Sequence, residues 1–331
     1  MASYHFRAFG LRIESDAPIE GLPAVDAGAP SQLRIRMGSL PDAFDPGNPT
    51  IREVWHSEPD PDDDTDAVVL HATSDGEWLI LLYADGTRFA LRRAGTEIWA
   101  TWPDGASAAS TATYLLGPVI GFVLRLRGLT CFHASSIVIS GRAILMLGPA
   151  GIGKSSTAAA LALRGHRVLG DDIAVIEPAT DHWMVQASIP GVRLWDDMVE
   201  VLLGRSDALP LLAPGWEKRQ LDLRASRAGF RPDAAVPLGA IYVLSQPGRD
   251  DDPGAERLRP RDALLALVAN TYANVLLTAA MRQAEFAVLS SLVRDIPVWR
   301  VGVPDRLRGL EAFCARIEAA GPSTAFGPGP A

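Results

Sequence analysis

Between Tyr4 and Trp102, apolar and polar positions alternate in short runs such as Leu33-Arg34-Ile35-Arg36-Met37, or gather in strand-length blocks such as Trp78-Leu79-Ile80-Leu81-Leu82-Tyr83. A two-residue period sets one face of each strand on a core. Asp75-Gly76, Asp85-Gly86 and Asp104-Gly105 punctuate the runs, and such pairs supply the left-handed residues that tight hairpins require. The pattern predicts an antiparallel meander. From Ala106 to Thr113 the residues turn small and polar, and Tyr114 to Arg127 then reads as an apolar helix broken near Gly117-Pro118. We place a boundary here, giving a smaller antiparallel β-rich domain over 1–112 and a second domain over 113–320.

In the second domain, Phe132 to Ile139 and Arg142 to Leu147 flank Ser140-Gly141, a two-residue hairpin signal. In that register Ile139 pairs with Arg142, and counting back sets His133 opposite Gly148. Lys154 to Arg164 reads as a helix ended by Gly165, and Arg167 to Leu169 begins another strand. A strand, loop, helix, strand unit favours a right-handed crossover between parallel strands whose carboxyl ends share one edge. Asp171 and Asp172 are expected at that edge, closing the strand. A strand over Leu238–Leu244, a long helix from about Arg261 and a last helix from Arg306 to Ala319 complete an α/β fold. The longest uncharged run, Ala263 to Met281, approaches membrane-spanning length, but Asn270, Thr271, Asn274 and Thr278 inside it favour a buried helix. Residues 321–331 are rich in glycine and proline and read as a disordered tail.

Composition narrows the partners. The 331 residues carry a formal charge of −8, and 29 of the 31 basic residues are arginine, with no basic stripe. That argues against nucleic acid. Cys131 and Cys314 are the only cysteines, which excludes a disulfide framework and a multi-cysteine metal site and fits a cytoplasmic setting. No signal-peptide pattern opens the chain, and no membrane role is expected. The acidic runs at 58–64 and 250–252 read as solvated loops, since the spacing of a calcium loop is missing.

The chemistry lies in Gly148-Pro149-Ala150-Gly151-Ile152-Gly153-Lys154-Ser155, a complete phosphate-binding loop followed by Ser156. Its backbone N–H groups and the following helix N-terminus suit phosphate oxygens, Lys154 the β and γ phosphates of ATP, and the Ser155 hydroxyl Mg²⁺. Transfer of a phosphoryl group needs such a cradle, a metal and a group that deprotonates the acceptor. Asp171 is the candidate proton acceptor and Asp172 a candidate metal neighbour. His133 could orient Asp171, contact the γ-phosphate or carry a proton. Lys218, the only other lysine, is a candidate for nucleotide or substrate contact.

His133, the hairpin, Gly148 to Ser156, Arg164-Gly165-His166 and Gly170-Asp171-Asp172 together resemble the catalytic core of the HPr kinase/phosphorylase family, in order and spacing. The resemblance is close over Phe132 to Ile176. It implies a nucleotide-binding fold like that of phosphoenolpyruvate carboxykinase, ATP and Mg²⁺ as cofactors, and transfer to a serine of a small protein. By the same resemblance His133 matches an active-site histidine, Lys154 and Ser155 the phosphate and metal ligands, and Asp171 the acid/base. Three departures stand out. The family's metal-binding glutamate, in a Glu-Ile-Arg-Gly motif, is replaced by Ser188-Ile189-Pro190-Gly191, with Asp196, Asp197 and Glu200 as open substitutes. Its later catalytic arginine loop has no match beyond Lys218 and Arg219. The first domain also differs, and the layout is more similar to the HPr-kinase-like proteins of lasso-peptide biosynthesis, as are Arg193-Leu194-Trp195 and the helices around Asn270 and Asn274.

The expectation is therefore a cytoplasmic serine kinase of a peptide or small protein, most closely a ribosomal precursor peptide, with homo-oligomerisation left open. A small-molecule kinase or phosphorylase of this fold, and a non-catalytic nucleotide-sensing partner, are the alternatives.

Overall fold

A computed structural model describes residues 3–45, 47–57, 67–213, 216–246, 254–304 and 309–322. The two acidic runs, Pro214-Gly215, Arg306 and the tail from 323 lie outside the described residues. The chain divides into two compact units, Met1–Arg127 and Gly128–Ala331.

The first unit holds β1 (Tyr4–Ala8), β2 (Leu11–Ser15), β3 (Leu33–Met37), β4 (Ile51–His56), β5 (Val68–Thr73), β6 (Trp78–Tyr83), β7 (Arg88–Arg92) and β8 (Glu97–Thr101) in one sheet of order β1-β2-β3-β8-β7-β6-β5-β4. From β4 to β8 it is the expected antiparallel meander. One correction concerns β3, which runs parallel to both β2 and β8. The long connection from Asp16 to Gln32 carries the chain back before β3 enters, which a tight hairpin cannot do.

Two helices follow, α1 (Ala108–Tyr114) and α2 (Ile120–Leu126), joined through a π-helical segment where Gly117 leaves helical dihedrals next to Pro118. The break falls where Pro removes a backbone donor. These helices group with the first unit, so the division falls at 127/128 rather than at 112/113. The physical reason is local. The Arg127 guanidinium donates to the carbonyls of Gln32 (3.1 Å) and Gly95 (2.9 Å), and the Tyr114 ring packs 4.3 Å from that of Tyr83. The stretch Ala108–Leu126 is long and apolar enough to cross a membrane by length and composition, and it is mostly buried.

The second unit runs β9 (Thr130–Ile139), β10 (Arg142–Leu147), α3 (Lys154–Leu163), β11 (Arg167–Gly170), β12 (Ile173–Pro178), β13 (Trp183–Gln186), β14 (Gly191–Leu194), α4 (Asp196–Leu203), β15 (Arg219–Asp222), β16 (Ala235–Ser245), β17 (Ala255–Arg257), α5 (Pro260–Ala269), α6 (Ala279–Asp295), β18 (Val298–Gly302) and α7 (Leu310–Ala320). It is a mixed α/β fold. The β9–β10 hairpin has the expected register, Arg142 opposite Ile139, with Ser140 and Gly141 at φ 50° and 77°. Strand β9 pairs with β10, β10 with β16, β16 with β13, β13 with β12 and β12 with β9, so the pairings close into a circuit. Alternation along β10 feeds two cores. Ile144 and Met146 pack with the alanine-rich α3 and with Phe313 and Ile317 of α7. Leu145 and Leu147 pack with Phe132, Leu267 of α5 and Leu289 and Leu292 of α6.

Two expectations change here. Strands β10 and β11 do run in one direction, but β9 lies between them, antiparallel to both. The aspartate pair does not close a strand either. After a register shift between Val168 and Gly170, Gly170 faces Ser136 and Ile173 faces His133, so the register from Gly170 continues into β12 along β9 and Asp171-Asp172 is a kink within it. Second, the uncharged run 263–281 is not one buried helix. It splits into α5, an irregular segment with Ala273 at φ 52°, and α6 capped by Thr278, and it leaves Leu265 and Val275 exposed. The irregular segment serves the sheet. The Asn270 carbonyl accepts from the His133 N–H (2.9 Å), Tyr272 N–H donates to the Cys131 carbonyl (2.8 Å), and Asn270 Oδ1 accepts from the Gly148 N–H (2.9 Å). A helix continued through 270–272 would leave those strand groups without partners.

Asn270→Ala removes the acceptor of a part-buried N–H at the mouth of the loop. We expect it to lower unfolding stability by about 1–3 kcal/mol, measured by the denaturant midpoint at unchanged slope.

Candidate functional site

The loop leaves β10 at Gly148, whose φ of 143° and position, with an added Cβ only 2.9 Å from the Leu244 carbonyl, restrict it to glycine. Gly153, at φ 108°, turns the chain into α3. The buried Lys154 bends back so that Nζ donates to the carbonyls of Gly148 (2.6 Å) and Pro149 (3.0 Å). Burial pushes its pKa down, opposed by Asp171 and Asp172.

Asp171 is fully buried beside the loop. Its Oδ1 accepts from the hydroxyls of Ser135 (2.5 Å) and Ser155 (3.0 Å), and its Oδ2 from the Arg193 N–H (3.2 Å). Burial raises its pKa from the ordinary carboxylate value, Asp172 adds to the rise, and the three hydrogen bonds oppose it. Ser135 lies on β9 two residues from His133, on the same face, and directly across from Asp171. That period-two relation was the available signal for Ser135, which sequence reasoning missed.

Asp172 has φ 71°, and the Ile173 N–H donates to the Asp171 carbonyl at 2.9 Å. This is a γ-turn, a strained backbone. Asp172 turns to another set of partners: His133 Nε2 at 3.4 Å, an Arg193 guanidinium nitrogen at 3.6 Å and the Tyr272 hydroxyl at 3.5 Å. His133 therefore touches Asp172, and Asp171 is oriented instead by Ser135, Ser155 and Arg193. Burial pushes the His133 pKa down, with Asp172 opposing. Ser155 is likewise paired with Asp171, not Asp172.

A cavity of about 220 Å³ opens over these groups, lined by residues 150–157 of the loop and helix, His133, both aspartates, Arg193, Trp195 and Lys218. Lys218 Nζ rests 4.7 Å from the centre of the Trp195 ring, a cation–π contact. Arg219 is committed elsewhere, to Asp196 (2.7 Å) and the Leu209 carbonyl (2.7 Å). Of the three substitute carboxylates only Asp197 lines the cavity, and its Oδ1 accepts from the Met198 N–H. Ser188 is buried, and its Oγ would lie 1.6 Å from a Cβ added at Gly170. The Ser188 side chain therefore packs directly against Gly170. No cluster of three or more His, Cys, Asp or Glu suited to a metal occurs among the described residues. The Ser155 hydroxyl and the adjacent carboxylates are hard oxygen donors, and Mg²⁺ needs only one or two carboxylates beside substrate phosphates, so the donor set fits Mg²⁺.

Residues 125–201 match the family model for the HPr Serine kinase C-terminal domain. This core is HPr kinase-like. The chain is 38% identical to the HPr kinase/phosphorylase of Limosilactobacillus reuteri over 40% of its own length and 45% of the relative's. It is 29% identical to that of Lactobacillus delbrueckii subsp. bulgaricus over 34% and 35%. The chain thus spans less than half the length of these curated relatives. The solved Hpr(Ser) kinase/phosphatase from Coxiella burnetii aligns over 53% of this chain and 86% of its own at 14% identity, with a TM-score of 0.30. The matched segment holds His133, the whole loop, both aspartates, Arg193 and Trp195, while Lys218, Asn270 and Tyr272 come from beyond it.

A carboxyl group whose pKa is raised on folding stabilises the native state below its unfolded pKa, and that contribution is lost as pH rises through the folded value. Asp171→Asn removes this loss. Its melting temperature should therefore gain on wild type as pH climbs above about 4, by about 2–4 °C for each 1 kcal/mol that the ionised wild-type carboxylate forfeits in a domain of this size. Calorimetry across pH 4 to 8 reads the gap, which a normal carboxylate would leave flat.

Proposed function

We propose that this chain is a cytoplasmic serine kinase, transferring the γ-phosphoryl group of ATP to a peptide or small protein. The observation that carries the reading is the buried Asp171 carboxylate hydrogen-bonded to Ser155 of the phosphate loop. Burial raises its pKa, which makes the ionised carboxylate a stronger base toward a hydroxyl proton than an exposed one. In the reaction the acceptor serine oxygen bonds to the γ-phosphorus. The bond from that phosphorus to the β,γ-bridging oxygen breaks, its electron pair leaving with ADP, and the serine proton passes to Asp171. Lys154 and the loop N–H groups hold the phosphates, and exchanging the Gly148 and Pro149 carbonyls for phosphate oxygens would release Lys154 to do so. Mg²⁺, held by Ser155 and a neighbouring carboxylate, would neutralise charge on the β and γ oxygens. His133, whose pKa is lowered by burial, places Nε2 3.4 Å from an Asp172 carboxylate oxygen.

The acceptor we assign is a serine of a ribosomally made, lasso-type precursor peptide, supported by the likeness of Arg193-Leu194-Trp195 and the Asn270 region to that group. We assign the first unit to binding the peptide or a partner protein. An HPr-like protein is the competing acceptor, after the names of the relatives. The replacement of the metal glutamate by Ser188 is what favours a second reading, a nucleotide-sensing protein without transfer.

Radiolabelled ATP with Mg²⁺ and a panel of serine peptides, precursor peptides and an HPr-like protein decides among these. We expect phosphoserine on a precursor peptide, a rate that falls on the acid side with an apparent pKa above the usual carboxylate range, and a loss of about 10²–10⁴-fold in Asp171→Asn. Equal turnover in the variant removes the base assignment. Nucleotide binding with no label transferred to any acceptor supports the sensing protein instead.

A further inference from the structure

Arg193 is placed unlike any other cation at the cavity. It sits on β14, opposite Gln220 of β15, and its main chain and side chain reach different carboxylates. The N–H donates to Asp171 Oδ2, while the guanidinium lies 3.6 Å from Asp172 Oδ2. That second distance is longer than a hydrogen bond. The side chain is only 17% exposed, and Asp172 is its only charged partner among the described residues. A guanidinium carries five N–H donors in a fixed fork, so most of this group's bonding capacity is unspent while it faces a cavity built on a phosphate loop. Lys154 and Lys218 are occupied by loop carbonyls and the Trp195 ring, and Arg219 by Asp196.

We propose that Arg193 is a catalytic residue whose guanidinium leaves Asp172 to bind the oxygens of the phosphoryl group in transit. This rests on the phosphoryl-transfer reading above. Charge on the transferring group spreads over three equatorial oxygens as its bonds loosen, and a planar fork matches two of them where an ammonium matches one. Because the same residue's N–H holds Asp171, the arginine that meets the phosphoryl group and the base that receives the proton are fixed to one point of the backbone.

The test needs no identified acceptor. Titration calorimetry compares ADP with ADP plus aluminium fluoride, a mimic of the planar phosphoryl group, both with Mg²⁺, on the full chain as wild type, Arg193→Gln and Arg193→Lys. We expect ADP affinity to stay within about threefold throughout. The extra affinity conferred by fluoride should fall about 10²–10³-fold in Arg193→Gln and about tenfold or more in Arg193→Lys, which keeps the charge without the fork. Should the glutamine variant not fold, the lysine variant carries the test. Fluoride gains equal to wild type, an equal loss for ADP alone, or no fluoride gain in wild type overturn the role of Arg193. A wild-type protein that does not bind ADP overturns the kinase reading itself.

Discussion

The buried carboxylate of Asp171 is the constraint around which the second unit is arranged. Moving an ionised carboxylate out of water costs several kcal/mol even after relaxation, and hydrogen bonds to a charged group each return about 1.5–3 kcal/mol. Three donors meet it, and they come from three elements: Ser135 on β9, Ser155 at the start of α3 and the Arg193 N–H on β14. Desolvation still outweighs them, since the pKa is raised and not lowered. The result is a carboxylate that is both raised in pKa and immobilised, and a phosphate loop tied to it through Ser155. Displacing the loop would strip a donor from a group with no water to replace it.

A second tie reaches the loop from the far end of the sequence. Asn270 holds the Gly148 N–H with its side chain and the His133 N–H with its carbonyl, taking over the edge of β9 where β10 ends. The loop's entry and the histidine are thereby fixed by one residue, and α5 must stop for that to happen. The apolar composition of 263–281 suggested continuity because periodicity measures burial and carries no record of which backbone groups a distant strand leaves unpaired.

The legible parts were those governed by local rules. Ser140-Gly141 specified a hairpin and its register, the loop glycines specified the cradle, and Gly117-Pro118 specified the helix break. Asp171 was readable because its distance along the chain from Lys154 matched a crossover, although β9 turned out to lie between the two strands. Arg193, Asn270 and Tyr272 were not readable as a site, since their contacts span 22 to 122 positions and depend on tertiary pairing, whereas Ser135 was within reach through its period-two relation to His133. Arg219 and Lys218 show the same limit at close range. Neighbours in sequence, they diverge because the Arg219 guanidinium is held by Asp196 and the Leu209 carbonyl while Lys218 meets Trp195 over the cavity.

The kink at Asp172 follows from comparing two costs. Alternation along β9 sends His133 and Ser135 toward the loop and Phe132 and Ala134 into the core shared with α5 and α6. Across the ladder, Asp171 falls on the first face with Ser135. In a regular strand Asp172 would fall on the second, with Ala134 opposite and Ala174 and Ile176 following on the same face. An unpaired carboxylate in that apolar core would cost several kcal/mol or be forced neutral, whereas one left-handed residue in a tight turn costs about 1–3 kcal/mol. The turn is the cheaper solution, and it brings the second carboxylate round to His133 and Arg193 on the side of the first. Two adjacent acidic residues can share one cavity here only because the strand bends between them, so the strain at Asp172 is the structural cost of having a paired-carboxylate site at all.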